Sequence, residues 1–282
     1  MLLNHLTLHT PKTTLEAARL FKELEDIKVL AGGTFLLNSL KLLKTKGTKT
    51  SKNILSLAKV DDLKGVSVDS NNLTIKAMTT ITELFESPFL VDNFEILRKV
   101  CRNISTTPIR NMATFGGNLT CRYTWTEMPS LMIALDATLF FMTPEGKTTS
   151  ISAEDFFKNN ARSEYLFTHA VIAQDAQARL VYRRVRKMSD VDQPLLSLCV
   201  KTSLNNNLWT KTRVVINSGI AFAQRDYKVE EFLNDKISSS DLGLKAMDNL
   251  TNAIYDTRSS EYKQHMFRIS IQRAIEEICK SN

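Results

Sequence analysis

Two pairs of adjacent glycines, set among hydroxyl and amide side chains, are the residues of this chain best suited to chemistry. One pair lies in Val29-Leu30-Ala31-Gly32-Gly33-Thr34, which runs on through Phe35 and Leu36. The other closes Thr107-Pro108-Ile109-Arg110-Asn111-Met112-Ala113-Thr114-Phe115-Gly116-Gly117-Asn118. The chain has only nine glycines, so four spent in two matched pairs mark places where the backbone itself is needed. Two consecutive residues without Cβ let the main chain approach a ligand and turn successive N–H groups into one hollow, which suits phosphate oxygens. Two hollows suit the two phosphates of a dinucleotide. A tight turn is the plainer reading of Gly32-Gly33 alone, whereas Thr114 and Asn118 flank the second pair with further donors and acceptors. Arg110 and Asn111 read as a buckle that stiffens this loop, a direct ligand contact being the alternative. Tyr123 and Trp125, just beyond, pack internally, stack on a ligand ring or meet another chain. Glu127 is a surface carboxylate or a ligand.

Other chemistries find little support. His5, His9, His169 and His265 show no metal spacing and no partnered nucleophile, so no acid–base catalyst is nominated. Neither a Gly-x-Ser-x-Gly elbow nor a phosphate-binding Gly-x-x-x-x-Gly-Lys loop is present. The four cysteines (Cys101, Cys121, Cys199, Cys279) form no Cys-x-x-Cys and read as free thiols, against a zinc ribbon or a locally encoded iron–sulfur cluster. A net charge of +7 invites a nucleic-acid reading. The basic residues are scattered, however, and the one dense run, Arg183 to Lys187, lacks interleaved aromatics. A solvated basic face, or one meeting acidic partners or phosphates, is expected instead. Apolar residues make up 43% and charged residues 24%, as in globular proteins. With no basic-then-apolar leader and no run of ~20 apolar residues, a cytoplasmic protein bound to neither membrane nor nucleic acid is expected.

The elements that must position the glycines follow from periodicity. Leu6 and Leu8 suggest a strand. Thr13-x-x-Glu16 has the form of a capping box opening a helix through Leu24, and Ile27–Leu30 reads as a short strand running into the first glycine pair. Ile54–Leu57 is another strand. Val66 and Val68, then Leu73, Ile75 and Ala77, alternate around Asn71-Asn72 as a hairpin. Helices are expected at Ile81–Glu86, Phe94–Arg102 and Pro129–Leu135, a strand at Thr138–Met142, and a short helix from Ser152. Composition shifts near Gln174–Gln177. Beyond it come strands at Leu180–Arg183, Leu195–Lys201 and Arg213–Ala223, then helices at Val229–Leu233, Leu242–Tyr255 and Tyr262–Ile278. Strands followed by helices indicate a separate α+β unit.

In this order, Ala31-Gly32-Gly33-Thr34 and Ile109-Arg110-Asn111 through Asn118 resemble the FAD-binding (medium) subunit or domain of the xanthine dehydrogenase family of molybdenum hydroxylases. Weaker matches are Leu135-Asp136-Ala137, Tyr182-Arg183-Arg184-Val185, Gly219 and the final helix from Tyr262. The resemblance implies that Val29, Leu30, Ala31, Gly32, Gly33, Thr34, Phe35 and Leu36 cradle the pyrophosphate. It implies that Thr114, Phe115, Gly116, Gly117 and Asn118 lie near the ribityl and phosphate portion. Ile104, Glu127, Leu166 and Arg183 match outlying cofactor contacts. The chain departs from the family at Phe35, where an acidic residue is common, and at Cys121–Glu127, where small residues are usual.

The implied fold is α+β. A two-lobed FAD-binding domain of the vanillyl-alcohol-oxidase-like (PCMH) type is expected over 1–176, with lobes of about 1–57 and 58–176. A smaller C-terminal α+β domain with an antiparallel sheet, of the CO dehydrogenase flavoprotein type, is expected over 177–282. The implied function is electron transfer within a complex. A large subunit carries the molybdenum cofactor, a small one carries 2Fe–2S clusters, and FAD on this chain passes electrons to NAD⁺ or another acceptor. A self-sufficient flavin oxidase or reductase, and a basic binding protein that has lost its flavin, remain as alternatives.

Overall fold

The computed structural model describes residues 5–48, 51–158, 163–186, 193–217, 223–255 and 260–280. The first lobe is a three-stranded parallel sheet ordered β1-β3-β2, from β1 (Thr7–His9), β2 (Ile27–Leu30) and β3 (Asn53–Ser56). Helix α1 (Thr14–Glu23) connects the first two strands and α2 (Leu36–Thr45) the second two. Thr13 caps α1 by accepting the Glu16 N–H, but the Glu16 carboxylate reaches back to the Lys12 N–H, so the expected box closes one residue early. Ala17 and Ala18 bury against Leu55 and Leu57, which seats α1 on the sheet. Helix α2 has no side-chain cap, because Phe35 stands at its N-cap. Nothing in the sequence announced it.

The second lobe is a five-stranded, wholly antiparallel sheet. It comprises β4 (Val66–Asp69), β5 (Asn72–Lys76), β6 (Thr138–Met142), β7 (Thr148–Ser152) and β8 (Leu166–Ala173), in the order β4-β5-β8-β6-β7. Between β5 and β6 the chain forms α3 (Ile81–Glu86), α4 (Glu95–Asn103), α5 (Thr107–Arg110), α6 (Phe115–Thr120) and α7 (Met128–Ala134). The short α8 (Ala153–Lys158) follows β7. The central strand β8 has no counterpart among the expected elements. Five of its eight residues are buried and only Thr168 and His169 are polar, so the polar alternation that marks a half-exposed strand is missing.

The sheet changes between Ala173 and Ala178. Strands β9 (Ala178–Val185), β10 (Leu196–Asn205), β11 (Leu208–Asn217) and β12 (Gln224–Arg225) form an antiparallel sheet ordered β12-β11-β10-β9. Asn206 and Asn207 take φ of 49° and 64° in the two-residue β10–β11 hairpin, a geometry asparagine tolerates. Gly219, and residues 218–222 of the expected Arg213–Ala223 strand, lie outside the described residues, as does Lys187. Helices α9 (Tyr227–Leu233), α10 (Leu242–Ala246), α11 (Asn252–Tyr255) and α12 (Glu261–Lys280) cover this sheet. Phe267, Ile271, Ala274 and Ile278, at helical spacing, are the buried stripe of α12. The single helix expected over Leu242–Tyr255 is broken. Buried Asp226 accepts the Thr251 N–H, the Thr251 hydroxyl and the Tyr255 hydroxyl, which draws the chain out of helical register.

The core of the second lobe continues into the C-terminal sheet through Cys199 and Val215. Polar ties cross the same seam. Arg213 donates to the Ile133 carbonyl and pairs with Asp136 at 2.6 Å, and Arg225 bridges Glu154 of α8 and Glu230 of α9 at 2.7 and 2.6 Å.

Candidate functional site

The two glycine segments meet. A Cβ on Gly32 would stand 2.0 Å from the Met112 carbonyl oxygen, so the first segment lies directly on the second. Gly33 takes φ +70°, a conformation that glycine adopts without strain. Gly116 sits against strand β5's exit, where a Cβ would come within 2.7 Å of the Ala77 carbonyl oxygen. One glycine of each pair, Gly32 and Gly116, is therefore required by close backbone packing, whatever else the pairs hold.

Their N–H groups have different fates. In the second segment the donors are consumed internally. Phe115 donates to Thr79 O and Gly116 to Ala77 O, each at 2.8 Å, while Gly117 and Asn118 donate to the side chain and carbonyl of Thr114. This corrects the expectation of a second open hollow: the segment is the capped start of α6, stitched to the chain after β5. The first segment is different. Among the described residues, the N–H groups of Gly32, Gly33 and Thr34 have no hydrogen-bond acceptor, and they lead into the uncapped N-terminus of the ten-residue α2. Open donors and a positive helix end suit that segment to an anion, and it is called the cradle.

Cradle and stitched loop form two walls of a cleft of about 1160 Å³. Val29, Ala31, Gly32, Gly33, Thr34, Phe35 and Leu36 line it from the first lobe, and Thr114, Gly116, Gly117 and Asn118 from the second. Ile104, Glu127 and Leu166 line it as well. Three expected residues do not. Leu30, the last residue of β2, is not among the lining residues. Phe115 is fully buried and packs against Phe167, anchoring the loop from beneath. Arg183 points from β9 onto α12, where it pairs with Glu277, and its neighbour Arg184 enters the cleft instead. A register error of one residue on a strand exchanges faces.

Arg110 and Asn111 hold the loop's shape. Arg110 donates to the carbonyls of Ile104 and Ser105 at 3.1 and 3.0 Å, and Asn111 accepts from the Thr82 hydroxyl at 2.6 Å. Arg184 meets Glu127 at 2.6 Å, both almost wholly buried, so the cleft floor carries an ion pair joining the second lobe to the C-terminal sheet. Burial pushes the Glu127 carboxyl up to about 7, against the opposing pull of Arg184 and of Tyr182. Arg184 and Tyr182 were legible only as parts of the Tyr-Arg-Arg-Val match. Facing the cradle, Phe35 lies against Tyr123 and Trp125, with ring centroids at 4.2 and 5.8 Å, and the last two stack at 4.4 Å and 25°.

An uncapped helix end beside aromatic and apolar walls, in a volume above the ~300–1,000 Å³ of ordinary small-ligand pockets, fits a dinucleotide such as FAD. The fold agrees. The Cu,Mo-CO dehydrogenase in its cyanide-inactivated form contains a chain that superposes with a TM-score of 0.86 over 100% of both chains, at 22% identity. The molecule thus has the α+β, PCMH-type FAD-binding architecture, with antiparallel sheet in its second lobe and C-terminal part. The chain belongs to the family described as the FAD binding domain in molybdopterin dehydrogenase, whose model matches residues 4–174. It is similar to the carbon monoxide dehydrogenase medium chains of Hydrogenophaga pseudoflava (29% identical over 150 residues, 53% of this chain and 50% of that one) and Afipia carboxidovorans (33% over 151 residues, 53% and 51%). It spans about half the length of those two relatives. Among the described residues no helix is long and apolar enough to cross a membrane.

Proposed function

We propose that this chain is the FAD-binding electron-transfer subunit of a molybdenum hydroxylase complex of the xanthine dehydrogenase type. It takes electrons from iron–sulfur clusters on a partner and passes them to NAD⁺ or another acceptor. The observation that carries the reading is the set of unused N–H donors at Gly32–Thr34, residues that line a dinucleotide-sized cleft just before the α2 N-terminus. Bound FAD would supply the redox chemistry, because it can couple single-electron donors to a hydride acceptor. The protein's residues bind and orient it. The cradle takes phosphate oxygens, Ile104 and Leu166 offer apolar surface, and Arg184 with Glu127 sets the charge of the floor. Leu30, Phe115 and Arg183 act from behind these walls rather than within them.

The partner assignment rests on chemistry and on likeness. The four cysteines are dispersed, and Cys101 and Cys199 are fully buried with their thiols pushed to high pKa by burial, so cluster ligands lie outside this sequence. The relatives are named as medium chains, which supports a heteromer with a large molybdenum subunit and a small 2Fe–2S subunit. The expected result is a yellow protein holding about one FAD per chain that co-elutes with two such polypeptides. A colourless chain that stays colourless after incubation with FAD would overturn the reading. Reduction by NADH without partners would favour a self-sufficient reductase, while slow reduction alone and rapid reduction within the complex would support the subunit.

A further inference from the structure

Helix α2 has two faces, and the function proposed above uses one of them. Leu36, Ser39, Leu40 and Leu43, on one side, line the cleft. At about 100° per residue the opposite side carries Leu37, Asn38, Lys41, Leu42 and Thr45. All five are exposed, Leu37 by 42% and Leu42 by 56%. The helix is therefore a partition between cleft and solvent, about 10–12 Å thick with its side chains.

The net charge of the chain gathers at this partition. Basic residues are spread along the sequence, but their excess is not. From Ile27 to Val60 there are seven lysines and no arginine, aspartate or glutamate. That matches the whole formal net charge of +7, so the rest of the chain is neutral overall. Lys41, Lys44 and Lys46 belong to α2 and its C-cap, and among the described residues Lys41 and Lys46 form no ion pair. Lysine near a helix C-terminus complements the helix dipole. The dipole gives no reason for two leucines left in water on either side of Lys41.

The residue types narrow the partner. A lipid surface takes an unbroken apolar sector bounded by lysines, whereas here Lys41 stands between Leu37 and Leu42. Nucleic acid favours the bidentate guanidinium, and the segment has none. A permanent subunit interface is large, apolar and poor in lysine. Lysines among a few exposed leucines suit brief contact with an acidic protein. Small interfaces of that kind serve electron carriers, and charge sets their rate of encounter.

We propose that the outer face of α2 docks an acidic one-electron carrier protein, and that this carrier is the acceptor of the chain's electrons. The proposal rests on the FAD reading and narrows its choice of acceptor. Two carrier molecules in succession each take one electron across the helix from reduced FAD, and the two protons held by the reduced flavin pass to water.

The test uses the full chain loaded with FAD, and two one-electron proteins of opposite charge as probes: plastocyanin, which is acidic, and mitochondrial cytochrome c, which is basic. Lys41→Glu/Lys44→Glu/Lys46→Glu reverses the charge of the face. Lys12→Glu/Lys147→Glu/Lys228→Glu, at exposed lysines elsewhere, makes the same change in net charge. Thermal melts show that each triple variant folds. At low salt the first triple should slow reduction of plastocyanin about tenfold, within the range of electrostatic steering, and speed that of cytochrome c. The second should change either rate by less than about twofold. Carbodiimide, which joins lysine to carboxylate, should couple plastocyanin to Lys41, Lys44 or Lys46 of the wild-type chain with or without FAD. Equal slowing by both triples, or cross-links that map elsewhere, would overturn the docking face. If the first triple abolishes capture by phosphatidylglycerol vesicles and leaves plastocyanin reduction unchanged, the face belongs to a lipid surface and the proposal fails. A chain that binds no FAD yet cross-links through α2 would remove the electron-transfer reading and keep the face as a site for acidic protein.

Discussion

Glu127 and Arg184 are the pair in which a side chain's surroundings outweigh its type. Both are nearly inaccessible to solvent, and each makes the other tolerable in a medium that penalises isolated charge. Removing Arg184 alone strands a buried carboxylate, so Arg184→Ala should cost about 3–5 kcal/mol at pH 8. It should cost less at pH 5, where the Glu127 carboxyl holds its proton; denaturant midpoints at the two pH values measure this. The sign for the intact protein follows from the same group. Because burial raises the folded-state value to about 7 from an ordinary 4.5, the folded chain binds the proton more tightly than the unfolded chain does. Stability from this residue is present below about 4.5 and declines as pH climbs towards 7. Glu127→Gln should therefore flatten the pH dependence of unfolding across that window, and an unaltered slope would show that the group titrates normally.

At the scale of elements, the glycine segments were readable because their composition is extreme, and most of the residues the resemblance implied line the cleft. What could not be read was which donors stay free. The sequence offers two similar Gly-Gly pairs, but only the tertiary approach of Ala77 and Thr79 reveals that the second pair's N–H groups are already used. Helix α2 and strand β8 were invisible for related reasons. The first lacks a capping side chain and the second lacks alternation, since each is defined by what packs around it. Arg184 rather than the expected Arg183 lines the cleft, because a motif fixes position to within a residue while a strand face changes at every residue. The glycines give a direct check. Gly32→Ala must push the Met112 carbonyl aside, which should cost about 1–3 kcal/mol and part the cleft walls, weakening FAD binding at least tenfold in titration. Gly47, by contrast, sits at positive φ, +69°, with nothing within 4 Å of a new Cβ, so Gly47→Ala is the control. It should cost about 1 kcal/mol of backbone strain and leave FAD affinity alone.

Across the whole molecule, the C-terminal sheet is joined to the second lobe by a shared core and by buried charge, so the two should melt as one unit. Arg225 is the clearest lever, since it satisfies Glu154 on one side of the seam and deeply buried Glu230 on the other. Arg225→Met should cost about 3–5 kcal/mol and split one calorimetric transition into two; a single unshifted transition would show that the seam contributes nothing. The five-stranded sheet has a further consequence, which lies in the order β4-β5-β8-β6-β7. Its middle member is the last to be synthesised. A nascent chain that has emerged as far as Ser152 carries two ribbons with an unfilled slot between them, their inner edges bare. Nothing can zip that gap until Leu166–Ala173 leaves the ribosome and slides in. Distant pairings of this kind make assembly slow, and for that interval the growing polypeptide presents two open strand edges to its neighbours.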